Sequence, residues 1–248
     1  MEFVLESIST GQWLDLFSKA TSLTSKNDPI RVFRFTKAFA FLQKVAPSAG
    51  DEILSAVTRA MSLERIERAI EIVFNAEILL SAQKTVPMID VPPFLIRQIL
   101  EEGSRGKEEQ TQRYWAGMLA STCLDSPVST ANAAFITLLS ELAPIHIRIL
   151  DAAGRRAIQA GWQPGAIFCE SVYCTTKEIK EITNVDNLSE IDAALDFLDH
   201  LGLLEMTIKF FGQERTNLTP TLLGLKLYAK CNGLSSQLDR VTVEVQAV

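Results

Sequence analysis

The chain has 248 residues, 47% of them hydrophobic and 22% charged, with a formal net charge of −6. That length buries a sizeable core, and that balance excludes a disordered polar chain. Two histidines, His146 and His200, leave little material for histidine-based catalysis or metal binding. No window approaches ~18 uninterrupted apolar residues, so no transmembrane helix is expected. Cys123, Cys169, Cys174 and Cys231 lack framework spacing and the chain opens without a signal-peptide pattern, which points to free thiols in a reducing cytoplasm.

In chain order, residues 1–88 read as an N-terminal run of helices by apolar period. Trp13, Leu14 and Phe17 open it, and Ile30–Val45 follows the cap-and-proline start Asn27-Asp28-Pro29. Val32, Phe35, Phe39 and Leu42 form one face of this second helix. Arg31, Arg34, Lys37 and Lys44 make it basic, with no acid between Ile30 and Ala46. Helices over Asp51–Met61 and from about Leu63 to Gln83 complete the segment. The expected domain limits are 1–88, a central helix block at 89–143, a winged-helix-like unit at 144–233, and a loose tail at 234–248.

The central block starts at Pro92-Pro93, the second proline suiting a first helical turn. Leu95, Ile96 and Ile99 form its buried stripe, and Gly103-Ser104-Arg105-Gly106 ends it. The next helix runs from about Lys107 to Leu124 and carries Trp115 among Ala116, Gly117, Ala120 and Ser121. Glycine costs ~1 kcal/mol in a helix interior, so Gly117 implies a close-packed neighbour. Trp115 is read in two ways, as a core side chain or as the wall of a binding groove. Thr130 is placed to cap a helix whose stripe is Ala131, Ala134, Phe135, Leu138, Leu139 and Leu142.

From Pro144 the pattern becomes a helix to Ala160, a capping box at Thr175-Thr176-Lys177-Glu178 opening a short helix to Thr183, and a helix over Ser189–Leu201. A strand over Glu205–Phe211, a return over Thr216–Leu218 and a last helix capped by Thr219-Pro220 follow. This is the winged-helix order, and the fold class is mainly α with a small β-ribbon. The helix that would enter a DNA groove presents Asp192, Asp196 and Asp199 outward, with no lysine or arginine between Glu190 and Met206. Carboxylates there would forfeit the counterion release that supplies non-specific affinity, which argues against DNA binding. They lack the glycine-bearing calcium loop, so a solvated or protein-facing surface is the better reading.

Val91 to Asp125 holds the most specific pattern: Pro92-Pro93-Phe94-Leu95, Leu100-Glu101-Glu102-Gly103-Ser104, Gln112, Trp115-Ala116-x-x-Leu119-Ala120 and Asp125-Ser126-Pro127. With Phe135-Ile136, Leu138-Leu139, Leu142-Ala143-Pro144, Ile149-Leu150, Leu201-Gly202-Leu203-Leu204 and Leu218-Thr219, it resembles the abortive infection alpha family over about Ile30 to Cys231. Ala143 stands where a serine-like cap before the proline is expected. The resemblance implies a bacterial, phage-defence-associated role and names no catalytic residue, metal or cofactor. No Gly-x-Ser-x-Gly, P-loop or Gly-x-Gly-x-x-Gly occurs, so the expected function is non-enzymatic protein contact. The alternatives are an effector at an anionic membrane surface, led by the basic aromatic helix, and a nucleic-acid-binding winged-helix protein, which the acidic helix disfavours.

Overall fold

The computed structural model describes residues 29–47, 49–50, 53, 61–82, 90–124, 131–163, 170–205 and 215–234. The expected elements around Trp13 and over residues 51–61, the strand over 205–211, the Thr130 cap, Cys169 and most of the tail lie outside these residues. The described elements are α1 (Pro29–Val45), α2 (Leu63–Ala82), α3 (Pro93–Gly103), α4 (Glu109–Thr122), α5 (Ala131–Glu141) and α6 (Pro144–Gln159). They continue with β1 (Tyr173–Thr175), α7 (Thr176–Thr183), α8 (Leu188–His200), β2 (Arg215–Asn217) and α9 (Leu222–Cys231). The fold is mainly α.

Local chemistry sets most of the boundaries. Pro92 is extended and Pro93 occupies the first turn of α3, where the missing N–H would be unbonded anyway. The capping box of α7 forms as read: Thr175 N–H donates to Glu178 Oε2 at 2.7 Å, and Glu178 N–H donates to Thr175 Oγ1 at 3.2 Å. Asn184 ends that helix in the left-handed region at φ 53°. Gly202 at φ 68° stops the chain after α8. One cap differs from expectation: Thr221, not Thr219, accepts the Gly224 N–H at 3.1 Å and starts α9. Thr219 is engaged elsewhere, its hydroxyl oxygen accepting the Val172 N–H at 2.9 Å.

α4 is the centre of the molecule. Its buried residues are Thr111, Tyr114 and every residue from Trp115 to Thr122, so it is covered on all sides rather than along one stripe. α2, α3, α6 and α9 pack against it. α2 turns Ala69, Ile72, Val73, Ala76 and Leu80 inward, and α1 covers α2 in turn. On α5 the buried residues are Asn132, Phe135, Ile136 and Leu139. Ala131 and Ala134 are exposed, so the expected stripe is rotated: alanine carries too little apolar surface to fix a helix face, and Asn132 is drawn inward by Lys230.

β1 and β2 pair antiparallel, Tyr173 with Asn217, Cys174 with Thr216 and Thr175 with Arg215. A further bridge joins Leu204 to Pro220. These contacts tie α7, α8 and α9 to the end of α6. Among the described residues no single helix is long and apolar enough to cross a membrane.

Candidate functional site

Gly103, Ser104, Gln112 and Trp115 of the specific block lie at one joint between α2, α3 and α4. α3 ends with orphan carbonyls, and α2 supplies the donors they need. Arg65 Nη2 donates to the Glu101 carbonyl at 2.6 Å, and its Nε to Ser104 Oγ at 3.2 Å. Arg68 Nε donates to the Ser104 carbonyl at 2.7 Å. Gly103 lies between Ile72 and Trp115; a Cβ there would fall 2.7 Å from each side chain. Gln112 Nε2 closes the turn onto the Gly106 carbonyl at 3.1 Å. Trp115 is 3% exposed and is a core side chain rather than the wall of an open groove.

Gly117 has the close-packed neighbour its position implied. A Cβ at residue 117 would overlap the carbonyl oxygen of Cys231, so α9 approaches α4 backbone to backbone. Gly154 of α6 does the same for the ring of Tyr228. Ser121 Oγ donates to the Lys230 carbonyl at 2.6 Å, and Lys230 Nζ donates to Asn132 Oδ1 at 2.9 Å with its ammonium over the Phe135 ring. A buried lysine is thereby supplied with an acceptor and an aromatic face.

Two candidate surfaces lie outside this joint. On α8 the buried stripe is Ile191, Ala194, Leu195 and Leu198. Asp192 and Asp196 are exposed on the opposite side with Glu190, and Asp199 is half-buried. They do not converge as ligands: among the described residues no group of three His, Cys, Asp or Glu side chains could hold a metal ion. The basic helix α1 divides differently. Phe35, Phe39 and Phe41 are buried, while Phe33 stays exposed. Arg34 is paired with Glu71 at 2.7 Å and lies over the Phe74 ring, so it holds α1 to α2. Lys37, set over Phe33, and Lys44 are exposed; the Arg31 side chain is outside the described residues.

A fourth cluster is polar, and sequence reasoning missed it. Asp151 sits in the apolar run Ile149-Leu150-Asp151-Ala152-Ala153 and is 1% exposed. Tyr114 Oη donates to its Oδ1 at 3.1 Å, Arg113 Nη2 lies 3.5 Å from Oδ1, and Arg155 Nη2 lies 2.5 Å from Oδ2. The Arg155 contact is an ion pair without an aligned N–H, which leaves Oδ2 with no hydrogen bond. Burial and the Asp151 charge push the Tyr114 phenol well above its ordinary range. Burial raises Tyr228 as well, with Asp151 adding and Arg155 and Arg113 opposing. An acid inside an apolar helical run, with an arginine four residues on, is the sequence signal for such a cluster.

The family model described as abortive infection alpha matches residues 59–231. The chain belongs to that family. The comparisons find no matching curated protein and no matching solved structure. The abortive infection alpha match takes in the α2–α3–α4 joint, the Asp151 cluster and α8, and begins after α1. The resemblance read from about Ile30 therefore extends upstream of the match.

The family member departs from the expected serine at Ala143, and His146 takes over half of the missing cap. The Ala143 N–H donates to His146 Nδ1 at 3.0 Å. The imidazole also stacks on Phe197 at 4.5 Å, joining the start of α6 to α8. Burial lowers the His146 pKa from its ordinary value of 6.5, and the neutral ring is the one that can accept this bond. His200 lies exposed in the last turn of α8. Cys123, Cys174 and Cys231 are buried free thiols; burial pushes Cys174 up to about 11, against the pull of Arg156, and raises Cys231 further. Raised thiols are poor nucleophiles near neutral pH.

Proposed function

We propose that this abortive infection alpha protein acts in bacterial phage defence as a non-catalytic contact protein, receiving a basic partner on the outer face of α8. The observation that carries the reading is the division of that helix. Its apolar stripe is buried against α6 and α7, while Glu190, Asp192 and Asp196 face outward and Asp199 sits at the edge. Residues 184–205 contain no lysine or arginine to offset them. Rim charges of one sign raise association rates and reject like-charged partners, which favours a basic protein surface.

The order α6–β1–α7–α8–β2–α9 supports a winged-helix-like unit. In such a unit α8 occupies the position that enters a DNA groove, and its carboxylates would repel the phosphates. The unit is therefore read as a protein-contact module in the cytoplasm, where its buried thiols stay reduced. A membrane-surface role for α1 has less support, because Arg34 and three of its four phenylalanines are already committed to the core side.

The test is phage plating on cells expressing the chain with Asp192, Asp196 and Asp199 all changed to asparagine. Protection lost at unchanged melting temperature is the expected result. Protection fully retained would remove α8 from the mechanism.

A further inference from the structure

Among the described residues, Asp151 is the one carboxylate that serves two arginines from different helices. Arg34, Arg105, Arg148 and Arg156 pair with Glu71, Glu102, Glu108 and Glu178. Neutralising one buried carboxylate takes one guanidinium. Here Arg113 comes from α4 and Arg155 from α6, and the Tyr114 hydroxyl already holds Asp151 from within the core. The cluster therefore carries one positive charge in excess, and that charge is at the surface: the Arg113 and Arg155 side chains are 55% and 61% exposed. Each touches a different oxygen of the same carboxylate, so that the two guanidiniums flank it.

We propose that Arg113 and Arg155, held side by side over the buried Asp151, form a binding site for a small phosphate-type oxyanion. Planar guanidiniums offer several N–H donors in a fork that matches tetrahedral oxyanions, more than one carboxylate contact requires. Pre-positioning by the carboxylate removes the rotamer entropy that two free arginines would lose on binding. Tyr228 closes the inner side, its ring seated on Gly154 next to Arg155.

The ligand is small. A polynucleotide needs a track of cations, whereas α4 opens with Glu108 and Glu109, one turn before Arg113. A free phosphate or the phosphate of a mononucleotide fits two forks.

The experiment is thermal melting of the full chain in inorganic phosphate against chloride at matched ionic strength, with parallel arms of a mononucleotide and a single-stranded oligonucleotide. Phosphate is expected to raise the melting temperature beyond chloride. Arg113→Ala and Arg155→Ala should each weaken the apparent affinity by roughly ten- to a hundredfold, as expected for loss of a charged hydrogen bond. Arg155→Ala also uncovers Asp151, so the phosphate-induced difference is the readout, and Arg113→Ala, with the longer contact, is the milder variant. The double lysine variant should retain part of the shift, since a point charge replaces each fork. No shift beyond chloride, or equal shifts in wild type and both alanine variants, would overturn the site. Oligonucleotide binding with steep salt dependence in preference to the mononucleotide would overturn the small-ligand assignment. A mononucleotide shift above that of phosphate would identify an esterified phosphate as the source.

Discussion

At the joint of α2, α3 and α4, charge is turned onto backbone, whereas on the outer face of α8 it is turned toward water. Arg65 and Arg68 are held at the carbonyl end of α3, and Gly103 and Gly117 remove the last side-chain atoms between packed elements. Asp192 and Asp196 are exposed. The difference teaches that Gly103, Ser104 and Trp115 serve the packing of this joint, while α8 presents its charge at the surface. Each region also predicts a different response to mutation.

The largest effect is expected at Trp115. Trp115→Ala should cost about 3–5 kcal/mol in chemical denaturation, because the loss of a buried ring packed against Gly103 leaves a cavity. Gly117→Ala is next, at about 1–3 kcal/mol or more, since the added methyl overlaps the Cys231 carbonyl and must displace α9. A Gly117→Ala midpoint equal to wild type would show that the two helices are not in backbone contact.

His146 lies between the two regions and gives a pH test. Its pKa is lowered in the folded state, so the unfolded chain takes up the proton first as pH falls. The contribution is constant above about 6.5 and is lost as pH drops from there toward the lowered folded value. His146→Gln should lose about 0.5–2 kcal/mol at neutral pH with the cap, and its stability should decline less between neutral and mildly acid pH. An unchanged acid slope would contradict the role of the ring. The smallest effect on stability is expected on α8, where Asp192→Asn with Asp196→Asn should stay within about 0.5 kcal/mol.

How much of this was legible in the sequence follows the distance over which each feature is decided. The Pro-Pro start of α3, the Thr175–Glu178 box and the stop at Gly202 depend on neighbours a few residues away, and all three form as read. The α8 stripe of Ile191, Leu195 and Leu198 is likewise buried as its period implies. Features set across the chain were not legible. Thr219 is taken by Val172 and leaves the cap of α9 to Thr221. Asn132 is pulled inward by Lys230 from the far end of the chain, which rotates α5. β2 pairs with β1, a strand the local pattern hid inside a helix start. The Asp151 cluster draws on α4, α6 and α9, and no single segment announces it.

The division between a structural joint and a separate working surface is tested most directly by phage protection measured per folded molecule in Trp115→Phe. This substitution loosens the joint while keeping an aromatic ring against Gly103. If the α2–α3–α4 joint acts only through the fold, protection normalised to folded protein will equal wild type even as total protein falls. Loss of protection at a wild-type amount of folded protein would contradict the division and place Trp115 in the working surface itself.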